Sequence, residues 1–506
     1  MDANPQMDAN PPMDSNPNTD SNLSKFERFR SSKGFITFTV SYAVFTDCFL
    51  YAAIVPMAPF ALKKAGFEDD AIQENITLML AVFGAVCFAA SGWVPFLIGL
   101  IVLLVATAVL WSAPFVPHKT VLAVSLVGRA TQGFASAVVW TTAMAVLVDT
   151  VGQERLGGNL THTPMKAAQH LHFIEHAGWI GLALNFGNIL GPVLGGVVYE
   201  YGGVHGLFGL CIWVIALDII LRLIMKERAR QPLKGKVSDS SLESGAGPTN
   251  KEATVELRSL PTFSTSATET SLMARRSVPN PTRIPAVLRL LGSTRFCVNL
   301  WGVFVLAIIF TALDAVLPVT VERILGWNAT LAGVIFLPFS LPSLVGMQFG
   351  KLTDRFGGRW FIFASLTAAC PALIALRFVQ ENAPTDVALL IFLLFFIGLC
   401  TTIILEPLFA EFARRATELQ ESDKHLGRDI RYGYYAQAYA HFNMAWSLGN
   451  TVGPLMAGYI NNAAGWNGAT LATGVICGFS AIPLVLYSEG PLIRKWSLRR
   501  QARQPE

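Results

Sequence analysis

Long apolar stretches alternate with short polar ones along the chain, and the apolar stretches recur at similar lengths. They cover residues 36–58, 77–92, 94–113, 121–146, 178–199 and 205–225, then 297–319, 328–349, 360–380, 386–408, 437–461 and 466–487. Most are near the ~20 residues that a helix needs to cross hydrocarbon. In lipid the backbone must satisfy its own polar groups, which a helix does within one segment. The pattern therefore predicts an all-α integral membrane protein with twelve transmembrane helices, here numbered spans 1 to 12, as six plus six.

The polar segments complete the expected organisation. Residues 1–34 repeat a Met-Asp-Ala-Asn-Pro-like unit and close on the basic "KFERFRSSK". Their regular prolines oppose a helix and they hold nothing to bury, so a disordered tail is expected. Residues 226–296 are rich in Ser, Thr, Lys and Arg, the composition of a flexible linker. Two six-helix bundles, 35–225 and 297–488, flank that linker, and a basic tail follows at 489–506. Composition agrees: 52% of residues are hydrophobic and 14% charged, against about a quarter charged in soluble domains. The mean hydropathy is +0.47. The start lacks the apolar core of a cleavable signal, so span 1 is expected to act as its own insertion signal.

The net charge of +4 matters less than its distribution. Lys25, Arg28, Arg30 and Lys33, the basic linker, Lys351, Arg355 and Arg359, Arg414 and Arg415, and the C-terminal arginines all fall on one face if twelve spans alternate. The excess of Lys and Arg on cytoplasmic loops then places both termini in the cytoplasm. Two Asn-x-Thr sequons, Asn75 and Asn328, fall on the opposite face as candidate glycosylation sites.

Two apolar segments share a motif. "GNILGPVLGG" begins at Gly187 and "GNTVGPLMAG" at Gly449, an interval of 262 residues (449 minus 187). The motif comprises Gly187, Gly191, Pro192, Gly195 and Gly196 in span 5, with Gly453, Pro454 and Gly458 among its counterparts in span 11. Glycines four residues apart let helices approach closely in lipid, and the proline permits a bend. Equivalent positions in two halves imply a duplicated, pseudo-symmetric architecture of the kind used by secondary transporters.

Further motifs carry a resemblance. Span 4 contains "RATQG" (Arg129, Gln132, Gly133), and the loop after span 8 reads "GMQFGKLTDRFGGRW", with Gly350, Asp354, Arg355, Gly357 and Arg359. Span 1 reads "TDCFLYAAIVPMAP" around Asp47. Over nearly all of 36–488 the chain resembles the major facilitator superfamily, in particular its twelve-span drug:proton antiporters and vesicular amine transporters of fungal type. The resemblance implies that the span 5 motif is the antiporter motif and that Arg129 lies near a proton-coupling centre. It implies that the 350–359 signature is a cytoplasmic gate, expected to pin spans 8 and 11. Asn443 stands where the amine carriers have an aspartate, so monoamine specificity does not follow. The chain departs from the family twice. The loop signature is missing between spans 2 and 3, and the segment around 156–176 resembles an insertion. True divergence and an imperfect gene model both remain open.

The candidate chemistry rests on charges inside apolar spans, which are costly there and functional by default. Asp47, midway along span 1, can hold a proton or a cation but poorly both, a physical basis for antiport. A carboxylate merely paired to a neighbouring helix is the plainer alternative. Arg129 needs a carboxylate or carbonyl partner. Asp314 toward the far end of span 7 and Glu406 toward the cytoplasmic end of span 10 read equally as gates, interfacial charges or ligands. Asp218 and Arg222, one turn apart on span 6, are expected to pair with each other. Tyr439 and Asn443 share a face of span 11 and can line a cavity or pack helices. His172 and His176 stand at i, i+4, yet no recognised metal motif accompanies them, so no metal is expected. The seven cysteines show no ligand spacing and read as packing residues.

No phosphate-cradling glycine loop of the GxxxxGK[ST] type, nucleophile elbow or nucleic-acid module occurs. The expected function is export of amphipathic organic compounds by proton antiport, not enzymatic and without a cofactor. The expected partners are a small-molecule substrate, protons and the lipid bilayer, with no nucleic acid, for a monomer in the plasma or vacuolar membrane. A non-transporting membrane sensor and an inactive product of a mis-spliced message are the alternatives.

Overall fold

The computed structural model describes residues 25–91, 96–152, 164–225, 286–425 and 434–490. Of the expected disordered tail 1–34, residues 1–24 lie outside the described residues, as do most of the linker, the loop at 92–95, the segment 153–163 and the end beyond 490. So do the side chains of 164–178, with His172 and His176. The rest of the expected tail is instead the helix Lys25–Arg30 and the start of span 1. All regular structure among the described residues is helical.

Nine of these helices are long and apolar enough to cross a membrane. Two of the nine are broken. Trp179–Ile224 contains Gly203 at φ 62°, and Gln437–Tyr487 contains Gly465 at φ 66°. Only glycine adopts that backbone cheaply, and a right-handed helix cannot continue through it. Their 46 and 51 residues would run roughly 70–75 Å as straight helices, more than twice the ~30 Å hydrocarbon core. Each glycine thus separates two segments of crossing length, spans 5 and 6 and spans 11 and 12.

Other boundaries shift for local reasons. Span 1 is the helix Lys33–Ile54, which stops before Val55 and Pro56, where the missing N–H and ring sterics disfavour continuation. A short helix Ala58–Lys64 follows. Span 8, expected as one helix over 328–349, is instead Ala329–Val334, Phe336–Ser340, a 3₁₀ turn Leu341–Val345 and Gly346–Phe356. Pro338 and Pro342 supply no backbone donor there. In the region read as a loop after 408, the helix of span 10 runs on from Pro384 to His425. Glu411 with Arg414 and Arg415 with Glu418 pair at i, i+3 along it, and Arg295 bonds Glu411 from span 7. The helix Ala286–Leu291 lies within the segment read as linker, with Arg289 bonded to Asp423 at 2.7 Å.

The two halves repeat at the level of contacts. A Cβ at Gly187 would lie 2.7 Å from Cys48 Cβ and 2.9 Å from the Phe45 carbonyl; at Gly449 it would lie 2.5 Å from Ala307 Cβ and 2.6 Å from the Phe304 carbonyl. Phe304 and Ala307 follow Phe45 and Cys48 by one interval, 259 residues (304 minus 45, 307 minus 48). Gly203 and Gly465 repeat the 262 of the glycine motif (465 minus 203). Beyond that turn Gly206 packs on Val198 and Gly468 on Ile460, again 262 apart. Large apolar side chains such as Trp213, Phe392 and Phe479 remain exposed on the outer surface, as expected of a lipid-facing wall.

Candidate functional site

Span 1 delivers Asp47 to the protein interior, 3% exposed. Ser136 and Trp140, one turn apart on span 4, present one face to it. Ser136 Oγ donates to Asp47 Oδ2 at 2.7 Å and Trp140 Nε1 donates to the same oxygen at 3.0 Å. The other oxygen, Oδ1, receives no hydrogen bond. Asp47 borders a cavity formed by both halves, with about 1190 Å³ of empty space that includes its opening to solvent.

One turn further along span 1, the Tyr51 hydroxyl donates to Asp314 Oδ2 at 3.2 Å, a bond between the halves. The Arg129 guanidinium lies 5.6 Å from the Tyr51 ring centroid, and its Nη1 donates to Gln132 Oε1 at 2.9 Å. Arg129 is 1% exposed, stands outside the cavity lining, and its Nε has no hydrogen-bond partner. Beside the Gln132 hydrogen bond, the face of Tyr51 stabilises the guanidinium through a cation–π contact, and the hydroxyl of the same ring reaches Asp314.

Asp47, Asp314 and Glu406 all line the cavity, and among the described residues no lysine or arginine does. Aromatic rings make up much of the remaining wall. Phe409 stacks on Phe442 at 4.5 Å and Phe442 on Trp446 at 6.3 Å, with Phe310 at 5.7 Å from Trp446. The broken span 8 contributes Phe339, Ser340 and Ser343. Irregular backbone at membrane depth is tolerated where it lines a cavity, and here Asn185 of span 5 donates to the Ser343 carbonyl at 2.9 Å. The wall is chemically suited to aromatic or cationic organic molecules, whose charge the carboxylates meet and whose rings the aromatics cover.

Most of the predicted residues gather here, with some redistribution. Asn443 lines the cavity and donates to Ser91 Oγ at 3.1 Å. Tyr439 lies beside a smaller pocket with Thr141 and Phe409, outside the main cavity. Asp218 and Arg222 make no hydrogen bond to each other: both Asp218 oxygens lack a hydrogen-bond partner, while Arg222 acts on the carboxylate through its charge and its Nη1 is 3.7 Å from Met225 Sδ. Asn75 is buried at 5%, whereas Asn328 is exposed and caps a helix through Leu331 N. Ser136, Trp140 and Gln73 were not singled out from sequence. The i, i+4 spacing of Ser136 and Trp140 on span 4, which puts both on one helix face, is the signal that could have found two of them.

The glycine motif divides its work. Gly187, Gly191 and Gly195 pack on Cys48, Ala52 and Ala53 of span 1; Gly449 and Gly453 pack on Ala307, Ile308 and Thr311 of span 7. Gly196 meets the Ala329 carbonyl and Gly333 across the halves, and Gly458 meets Thr77 across the other seam. Pro192 lends its carbonyl to the contact with Gly333. Pro454 occupies the corresponding place within the helix of span 11.

At the end bearing the termini, the loop signature ties its own half together. A Cβ at Gly350 would lie 3.3 Å from Glu406 Oε2. Gly357 takes φ 89°, and Arg359 N donates to Glu489 Oε1 at 3.1 Å, with its guanidinium on the Gly490 carbonyl. Among the described residues, these partners belong to span 10 and the end of span 12. Arg355 lies over Phe356 at 5.4 Å; the side chain of Asp354 is outside the described residues. At the opposite end the halves are fastened by Lys63 to Glu322 at 2.5 Å, Arg323 to the Asp69 carbonyl, and Gln73 to the Ala315 carbonyl at 3.0 Å.

Among known proteins, the Major Facilitator Superfamily model matches residues 41–422 and 300–504. The MFS-type transporter C18.02 of Schizosaccharomyces pombe is 30% identical over 467 residues, covering 89% of this chain and 95% of its own. The vesicular acetylcholine transporter of Drosophila melanogaster is 24% identical over 232 residues, 38% of this chain and 36% of its own. Among solved structures, a bacterial homolog of the human lysosomal transporter Spinster, inward-facing and occupied, superposes with a TM-score of 0.57 at 12% identity, covering 91% of this chain and 98% of its own. The fold, the duplicated halves and these matches agree: the chain belongs to the major facilitator superfamily, a family of membrane transporters.

Proposed function

We propose that the protein is a proton antiporter that exports amphipathic organic compounds, cationic or neutral, by alternating access between its two halves. The observation that carries this reading is the shared cavity, with Asp47, Asp314 and Glu406 in its wall, stacked aromatic rings beside them and, among the described residues, no lining lysine or arginine. Asp47 would bind either a proton or the substrate's charge, so one leaves when the other arrives. The match to a transporter of acetylcholine, an organic cation, is in keeping with that chemistry. With both termini in the cytoplasm, the fastened end faces outward, and this conformation is closed on that side.

The test is flux in reconstituted vesicles, with tetraphenylphosphonium as the probe and an imposed pH gradient. Wild-type protein should move the probe against protons. Asp47→Asn should lower proton-driven flux roughly 30-fold, from the loss of about 2 kcal/mol in one charge-assisted contact, with folding intact. Full coupling in Asp47→Asn would reject the assignment. No probe movement at all in the wild type would favour a sensor without turnover.

A further inference from the structure

Asp218 on span 6 is 0% exposed, and neither of its carboxylate oxygens has a hydrogen-bond partner. It does not line the central cavity. Buried polar groups are almost always paired, and an unpaired buried charge is costly. The charged and titratable groups around it are Tyr42 and Asp47 on span 1 and Arg222 on its own helix. The adjacent hydroxyl is Thr46, which donates its proton to the Tyr42 carbonyl at 3.0 Å. Thr46 therefore offers Asp218 only a lone pair, which suits an acid that carries its own proton.

The repeat provides an independent comparison. At the 262-residue interval Asp218 corresponds to Ser480, and at the 259-residue interval Tyr42 corresponds to Trp301. In the second half Ser480 is also buried, but it is satisfied: it donates to the Ile476 carbonyl at 2.7 Å and accepts from Trp301 Nε1 at 3.2 Å. The architecture thus fills the same position with a small neutral hydroxyl and does not require an acid there. Asp218 lies six residues, about 9 Å of helix rise, before the end of span 6. That end is tied to Arg30 at the start of span 1.

We propose that Asp218 is a second proton-binding carboxyl of the first half, holding a proton in this conformation and coupled through span 1 to Asp47. This rests on the proton-coupled reading above, but its test does not. Infrared spectra of the full-length protein in lipid at about pH 7 should show the carbonyl band of a protonated carboxylic acid, sensitive to D₂O. Because a protonated Asp47 absorbs in the same region, the band is read in an Asp47→Asn background, where it should persist with Asp218 intact and vanish once Asp218→Asn is added. Asp218→Ser, which copies the second half, should also lose the band while keeping the wild-type melting temperature. A band retained in both Asp218 variants overturns the proposal. In coupled vesicles, Asp218→Asn should also exchange one proton fewer per tetraphenylphosphonium, and an unchanged ratio likewise overturns it. A wild type that moves no protons would sink the antiport reading, while the band still decides the state of Asp218.

Discussion

Two side chains, Ser136 and Trp140, set the character of Asp47 by donating to one of its oxygens and leaving the other buried without a hydrogen bond. A carboxylate held on one side only is oriented yet still able to take a ligand. Ser136→Ala should weaken that orientation by about 1.5–3 kcal/mol, the range for hydrogen bonds to a charge. Tetraphenylphosphonium affinity, measured by calorimetry, should then fall more than tenfold, with little change in melting temperature. Asp47, Arg129, Asp314 and Glu406 were legible in the sequence because charges within apolar spans stand out. Their partners were not, because Tyr51 meets Asp314 across 263 residues of chain, and no local spacing encodes such a contact. Asp218 was legible only in part: its i, i+4 neighbour Arg222 acts on it through charge, without the hydrogen-bonded pair that the spacing suggests.

Helices and their seams explain why one motif appears twice. Its first glycines fit span 5 onto span 1 and span 11 onto span 7 within a half, while Gly196 and Gly458 hold the two halves together. These roles make different predictions. Gly191→Ala would drive its Cβ to 2.8 Å from Ala52 Cβ and 2.9 Å from the Phe49 carbonyl. Overpacking of this kind costs about 1–3 kcal/mol, read as a lower melting temperature. Gly196→Ala and Gly458→Ala strain the contact between halves, so they should shift the balance between conformations, read as altered access to the cavity, with the halves still folded. The repeat itself was visible in the sequence, and the turns at Gly203 and Gly465 extend it. The break in span 8 was not foreseen. Pro338 and Pro342 were in view, but hydropathy alone does not distinguish a continuous apolar helix from a segmented one.

For the whole molecule, the ties at the end opposite the termini define the conformation. The Glu322 carboxylate, which bonds Lys63, holds that ammonium above the usual lysine range. A base raised in this way contributes to the closed end below the ordinary lysine value of about 10.4 and loses the contribution only as pH climbs through its raised value. The tie should therefore persist across neutral pH. Lys63 is 55% exposed, so the pair contributes less than about 1 kcal/mol. Cys48 and Cys87 line the cavity as free thiols. Lys63→Gln should raise their labelling by an impermeant maleimide added at the closed end by up to about fivefold. The increase should be similar at about pH 6 and about pH 9, since the lysine stays charged across that window.

The central claim is that cation and proton compete for the cavity carboxylate at residue 47. It is tested most directly by adding tetraphenylphosphonium to purified protein in weakly buffered detergent solution while recording bulk pH. Wild-type protein should release protons in proportion to the probe bound, and Asp47→Asn should bind the probe weakly and release none through that site. Tight binding of the probe to the wild type with no proton release would contradict the account.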